Sequence, residues 1–338
     1  MWSDYKYLLA YSLPLAGFLG VHYGGAWSPG SIYVAFLLIP ILELVLPASV
    51  GNHHPEVEET RRESRFFDWL LYLNLPVLYG IVAYFLYVAT TRELSGWETF
   101  GMVCNVGLLI GAIGINVGHE LGHRTKVYEQ RIAQALLLPG LYMHFFIEHN
   151  RGHHRHVGTP HDPATSRRGQ SVYAFWLRSV TLSYVNAWRL DRPLMLKFQL
   201  IQAAYLALVV WVFGISGLWL ALGAATFGFL MLETVNYIEH YGLLRRKNKQ
   251  GRYEAVLPIH SWNSDHELGR IVLYELTRHS DHHFKSTRKY QVLRRFDESP
   301  QLPTGYPACM LLSLVPPLWF RIMNPRVERF AYSSNLPA

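Results

Sequence analysis

The sequence predicts an all-α integral membrane protein: a six-transmembrane-helix bundle with a cytoplasmic helical cap that carries a histidine-rich two-metal site. Three observations predict it. Half of the 338 residues are hydrophobic and only 16% are charged, whereas an ordinary soluble domain is about a quarter charged. Six stretches approach the ~20 mostly apolar residues that a spanning helix needs. Of the 17 histidines, nine fall into clusters or stand at the end of an apolar run. The aromatic content (Trp 10, Tyr 21, Phe 17) suits belts at two membrane interfaces. No composition break divides two cores, so residues 1–338 read as one domain.

The elements follow in order. The first span is 7–23, with a turn over 24–31. It lacks a basic leader and a small-residue cleavage site, so it reads as a retained span. The second, 32–50, is interrupted by Pro40 and Pro47. Residues 51–66 are polar and form a loop. The third and fourth spans are 67–90 and 97–117, and the fourth runs straight into His119. Residues 131–147 are apolar but short, and read as a re-entrant or interfacial helix. Residues 155–170 are polar and basic. The fifth and sixth spans, 198–213 and 217–236, are joined by a tight turn, and the sixth leads to Glu239 and His240. The rest is mostly soluble apart from an apolar patch at 308–320.

Charge sets the orientation. Loops 24–31 and 214–217 contain no Lys or Arg, and loop 91–96 contains only Arg92. Nearly all other basic residues fall in 51–66, 124–197 or 241–338. The positive-inside rule places those segments, both termini and a cap of 118–197 and 237–338 in the cytoplasm. The net charge of +7 then reflects basic loops beside anionic lipid. No nucleic-acid-binding signature is present. Cys104 and Cys309 are far apart and no C-x-x-C occurs, which excludes a thiolate metal site within the chain and a disulfide framework. Both read as small buried apolar residues.

The clusters carry the chemistry. They are His119-Glu120-Leu121-Gly122-His123, then His149 with His153 and His154, then His279 with His282 and His283, with His240 standing alone. Neutral imidazole is the commonest metal ligand. One ion takes about four to six ligands, so nine histidines fit two ions. On an α-helix, His119 and His123 share one face, as do His149 and His153, with His154 turned about 100° further toward a second ion. Glu120, Glu148, Glu239 and Asp281 flank the imidazoles. They are expected as hydrogen-bond acceptors behind the ligating rings, and direct ligation by one of them stays open.

Three readings compete. H-E-x-x-H alone is the zinc-protease pattern, with Glu120 as general base, but it leaves seven clustered histidines unused. A transporter with histidine proton relays leaves the repeated spacing unexplained. A non-haem di-iron site that activates O2 uses all nine.

The set HxxxH, HxxxHH and HxxHH resembles the histidine signature of membrane desaturases and hydroxylases, and most closely the alkane 1-monooxygenase family. The stretches that carry the resemblance are NVGHELGHR, EHNRGHHRHVGTPHDPATSRRGQ, NYIEHYGLLR and LTRHSDHHFKSTRKYQVLR, with HSWNS and PTGYPACMLLSLVPPLWFRIMNPRV. It runs from Asn116 to Val327, and NYIEHYGL separates this family from ordinary desaturases. The resemblance implies iron ligands at His119, His123, His149, His153, His154, His240, His279, His282 and His283. It implies two iron ions in a six-helix bundle in a bacterial inner membrane. The implied reaction is hydroxylation of the terminal methyl of medium-chain n-alkanes with O2 and electrons from a separate rubredoxin served by an NAD(P)H-dependent reductase. Arg245-Arg246-Lys247 and the region of Arg288 and Lys289 are candidates to steer that acidic donor.

His161 stands where the alkane enzymes carry an acidic residue. The VGTP and RGQ portions resemble xylene monooxygenases. A xylene-type methyl monooxygenase and a lipid desaturase are therefore alternatives on the same di-iron site. An apolar substrate calls for a channel between the spans, open to lipid. Phe36, Leu37, Gly107 and Gly111 (and Gly114) are candidates to line it, and the glycines are equally suited to close helix packing.

Overall fold

A computed structural model describes residues 2–334, and its regular elements are helices, with only isolated bridges between extended residues. Helix α1 covers 2–23, tightly wound over its first half. Helix α2 is Gly30–Val45. Then come α3 (Pro55–Glu63), α4 (Arg65–Thr91), α5 (Gly96–Gly122) and α6 (Val127–Leu137). Helix α7 covers 145–156 and α8 Val172–Leu190. Helices α9 and α10 share Arg192–Glu239. The cap adds α11 (Glu267–Val272), α12 (His279–Phe284), α13 (Tyr306–Ser313) and α14 (Pro316–Ser334).

Three helical stretches are long and apolar enough to cross a membrane: α4, α5 and Arg192–Glu239. The last is broken at Gly214, whose φ of 70° is a conformation that suits glycine. A Cβ on Gly217 would lie 3.7 Å from Val209 Cγ1. Eight residues rise ~12 Å along a continuous helix, so the chain doubles back here. This is the tight turn expected at 214–217.

The second span ends earlier than expected. Leu46 is extended, Ala48 bridges to His266, and Ser49 N donates to Asp265 O at 2.9 Å. Residues 46–50 thus belong to the cap, because their backbone finds partners there. The stretch 131–147 is not one helix. Helix α6 stops at Leu137, and Leu141 has φ 50°. Helix α8 lies in the part of the cap, 118–197, where the sequence delimits no individual helix after residue 170. Ser171 caps it by accepting from Ala174 N at 3.3 Å.

Buried polar groups fix the helices that hold the site. Asn105 on α5 donates to Gly17 O at 2.9 Å and accepts from Ser31 N at 2.9 Å, tying α1 and α2 to α5. Such bonds act as glue where water is absent. Gly107 and Gly228 let α5 and α10 touch: a Cβ on Gly228 would fall 2.9 Å from Gly107 O. Ahead of α12, Glu275 pairs with Arg270 at 2.7 Å and accepts from the Tyr7 hydroxyl, which links the cap to α1.

Candidate metal centre

All nine clustered or end-of-run histidines converge, and they divide into two groups. His119, His123, His149, His154 and His282 form one, His153, His240, His279 and His283 the other. Within each group the candidate ligand atoms lie within 4.8 Å of one another. The remaining eight histidines join neither group.

The division follows from helix type. His149–His153 is a π-helical turn, which closes i to i+5. His149 and His154 therefore fall in one group, and His153 turns to the other. The expectation that His149 and His153 share a face assumed a regular α-helix, and the wider turn overturns it. Helix α12 is regular, so His279 and His283 stay together and His282 crosses to the five-histidine group. The end of α5 gives His119 and His123 to that same group.

The ring nitrogens face inward. Nε2 of His282 lies 2.8 Å from that of His119 and 3.1 Å from that of His154, which is 2.9 Å from that of His149. In the other group, Nε2 of His283 lies 3.2 Å from His153 and 2.9 Å from His279, which is 3.2 Å from His240. A ring nitrogen carries one proton or one lone pair. The chain His119–His282–His154–His149 cannot satisfy three such contacts by hydrogen bonds. Nitrogens ~2.1 Å from one ion, at angles between octahedral and tetrahedral, sit roughly 3 Å apart. The donor set thus fits two metal ions.

Seven of the nine imidazoles are held in the neutral form that ligates. Burial first, then neighbouring rings, hold His149, His154, His279, His282 and His283 well below the ordinary histidine value. The same causes put His123 and His240 at about 3. Neutral rings bind metal without releasing a proton. The four-histidine group is fully buried, whereas His123 and His154 are half-buried.

The flanking acids differ from the expectation. Glu120 accepts from Arg124 Nη2 at 2.8 Å and Tyr290 N at 3.2 Å. That occupies the group a protease would use as base. Asp281 accepts from Arg294 N at 2.7 Å and pairs with Arg288. Glu148 packs under Gly152, where a Cβ would lie 2.6 Å from its Oε1. Glu120 and Asp281 hold backbone and neighbouring helices, and none of the three bonds to a ligating ring among the described residues. Only Glu239 meets one, its Oε2 lying 3.2 Å from His279 Nε2.

The acid behind a ring is Asp162, absent from the sequence-based candidates. Its Oδ2 lies 2.9 Å from His153 Nδ1 and accepts from Thr165 Oγ1 at 2.5 Å, while Oδ1 accepts from Ala164 N at 3.1 Å. Burial alone would raise its pKa, but His153 and these hydrogen bonds hold it below the usual carboxylate range. Asp162 sits beside His161, and the turn-forming string Asp-Pro-Ala-Thr was the available signal.

An apolar cavity lies at the feet of the ligand helices. Asn116, Val235 and Leu276 line it, a few residues before His119, His240 and His279, as do Phe36, Gly111 and Met310. Asn116 gives its amide to Leu273 O at 3.0 Å. Leu37 is not in the lining. It is 55% exposed, since it points off α2 on the outer side. Gly107 is also outside it, because its face is covered by α10: a Cβ there would lie 2.8 Å from Ala224 O. Gly114 packs against Leu136 O in the same manner.

The basic residues proposed to steer a donor are largely engaged within the fold. Arg245 Nε donates to Glu254 O at 2.7 Å, Arg288 pairs with Glu58 and Lys289 with Asp68.

The chain is 39% identical to alkane 1-monooxygenase 2 of Pseudomonas aeruginosa over 328 residues, which is 92% of this chain and 87% of that protein. It is 36% identical to alkane 1-monooxygenase of Ectopseudomonas oleovorans, covering 97% and 86%. The chain belongs to the alkane 1-monooxygenase family. Members of this family stand within the wider group whose "Fatty acid desaturase" family model matches residues 95–313 here. The xylene/toluene monooxygenase hydroxylase component of Pseudomonas putida is 27% identical over 94% of the chain, more distant than these alkane 1-monooxygenases. Family membership also removes the protease reading of His119-Glu120-x-x-His123.

Proposed function

We propose that this chain hydroxylates the terminal methyl of medium-chain n-alkanes, with two iron ions held by the nine histidines. The observation that carries the reading is the apolar cavity lined by Asn116, Val235 and Leu276, a few residues before His119, His240 and His279 of the two histidine groups. The balance is RH + O2 + 2 e⁻ + 2 H⁺ → ROH + H2O. When bound, the iron pair supplies the redox chemistry that activates O2. The protein's own residues aim the methyl group and keep water out.

Transfer of an alkane from water to an apolar site gains about 0.8 kcal/mol per CH2. Transfer from a lipid tail gains almost none, because lipid is as apolar as the cavity. Selection therefore rests on cavity shape, and supply comes from the membrane. A second apolar cavity shares Phe36, Met231 and Met310 with the inner one and reaches the partly exposed Leu311. It offers a lateral route between α2, α10 and α13.

Six crossings, with α1, α2 and the two arms of the α9–α10 hairpin joining α4 and α5, put both histidine groups on the cytoplasmic side of the inner membrane under the positive-inside rule. Electrons enter from a separate rubredoxin, itself reduced by an NAD(P)H-dependent reductase. The five-histidine side is favoured for entry, since His123 and His154 approach the surface and Arg155 and Lys285 are exposed nearby in sequence.

The test is product analysis. Iron-loaded membranes receive NADH, rubredoxin, reductase and 18O2, with C6–C16 n-alkanes and xylenes offered together. Labelled 1-alkanols are expected. Labelled benzylic alcohols alone would move the chain to the xylene reading, and unlabelled alkenes to a desaturase.

A further inference from the structure

The two histidine groups are unequal in number but are built alike. Helix α7 gives two rings, His149 and His154, to the first group and one, His153, to the second. Helix α12 gives His279 and His283 to the second and His282 to the first. The two helices are therefore counterparts with the ions exchanged. The same exchange relates the ends of α5 and α10. Helix α5 gives two donors, His119 and His123, to the first group. The end of α10 gives one histidine, His240, to the second.

The residue next to His240 is Glu239. It is 1% exposed, and its Oε2 lies 3.2 Å from His279 Nε2, at the edge of the four donors that all lie within 4.8 Å of one another. That nitrogen also lies 2.9 Å from His283 Nε2 and 3.2 Å from His240 Nε2, so it faces the ion and is not a free N–H for the carboxylate. The other oxygen, Oε1, accepts from Tyr306 OH at 2.9 Å. The Glu239 carbonyl accepts from Trp262 N at 2.8 Å, which fixes the backbone.

Charge points the same way. A buried carboxylate stays ionised only with a cation beside it, and otherwise takes up a proton. Glu120 has Arg124 and Glu275 has Arg270. Among the described residues no Lys or Arg forms an ion pair with Glu239. A metal ion in the four-histidine group would supply that positive charge and keep the carboxylate ionised.

We propose that Glu239 is a ligand, the fifth protein donor to the ion held by His153, His240, His279 and His283. Tyr306 is its positioning residue. The two ions then differ in charge as well as in place: one is surrounded by neutral rings alone, the other by four rings and a carboxylate. The inference rests on the two-iron reading of the site.

The experiment is metal binding and 57Fe Mössbauer spectroscopy on the detergent-purified full chain, read without turnover. His153→Ala first assigns the doublet of the four-histidine ion. Glu239→Ala is then expected to weaken that ion by tenfold or more and to shift its doublet, leaving the other doublet in place. Glu239→His is expected to restore occupancy, and Tyr306→Phe to shift the same doublet without loss of iron. Two tightly bound irons with both doublets unchanged in Glu239→Ala and Tyr306→Phe would overturn the proposal. A wild-type chain that binds no iron pair would instead overturn the two-iron reading on which it rests.

Discussion

His153 Nδ1 lies 2.9 Å from Asp162 Oδ2, in a pocket closed to solvent. The bond fixes which nitrogen of His153 faces the metal, and it stiffens the loop after α7 through Thr165. Loss of such an acceptor costs ~10–100-fold in metal affinity. Asp162→Ala is expected to lose iron from the four-histidine group by that factor, read by chelator competition, and Asp162→Asn to lose less because its amide oxygen still accepts.

His240 joins the centre from the end of an apolar helix, far in sequence from the other eight. His240→Ala is expected to lose one iron and activity while the protein still inserts and melts cooperatively. Iron analysis of purified membranes checks it, and retained iron with turnover would remove His240 from the site.

His153 and His154, neighbours in sequence, belong to different histidine groups. His153→Ala and His154→Ala are expected to perturb different Mössbauer doublets, and His149→Ala to behave like His154→Ala. Matching spectra for His149→Ala and His153→Ala would contradict the π-helical assignment.

Phe36 touches both apolar cavities and Leu37 neither. Phe36→Ala is expected to move the product profile toward longer 1-alkanols, read by gas chromatography, and Leu37→Ala to leave it fixed. Gly111→Leu is expected to shorten the profile. Gly107→Leu faces α10 backbone, and overpacking of about 1–3 kcal/mol is expected as a lower melting temperature.

Burial depresses the pKa of the clustered histidines in the folded state. Unfolded, they titrate near pH 6.5. Below that pH the unfolded chain binds protons that the fold does not. Stability of the iron-stripped protein is therefore expected to be full above pH ~6.5 and to fall as pH drops, by about 1.4 kcal/mol per pH unit for each such ring. Urea titrations between pH 7.5 and 5.5 measure the slope. A flat profile would mean that the rings are solvated without metal.

Much of this was legible in the sequence because the signals were periodic or clustered. The α5 span leads into His119 as hydropathy alone required, and Gly214 breaks the last long apolar stretch where a turn was expected. The nine ligand candidates were visible because each imidazole has a partner within a few residues or ends an apolar helix. The partition between two ions was not visible, since it depends on one π turn and spacing was interpreted on an α-helix. Asp162 was missed, and Glu120 and Asp281 misplaced, because nearness in sequence does not say which side of a ring an acid occupies. Leu37 shows the same limit on a membrane helix: apolar residues face lipid as readily as a cavity.

The π turn has a consequence for how the ligand strings compare. His149-Asn150-Arg151-Gly152-His153-His154 is one residue longer than His279-Ser280-Asp281-His282-His283, yet both send the first and last rings to one ion and the penultimate ring to its neighbour. String length and helix winding compensate each other. The two are interchangeable parts cut to different lengths, and a count of residues between ligands describes such a centre only together with the winding that absorbs the difference.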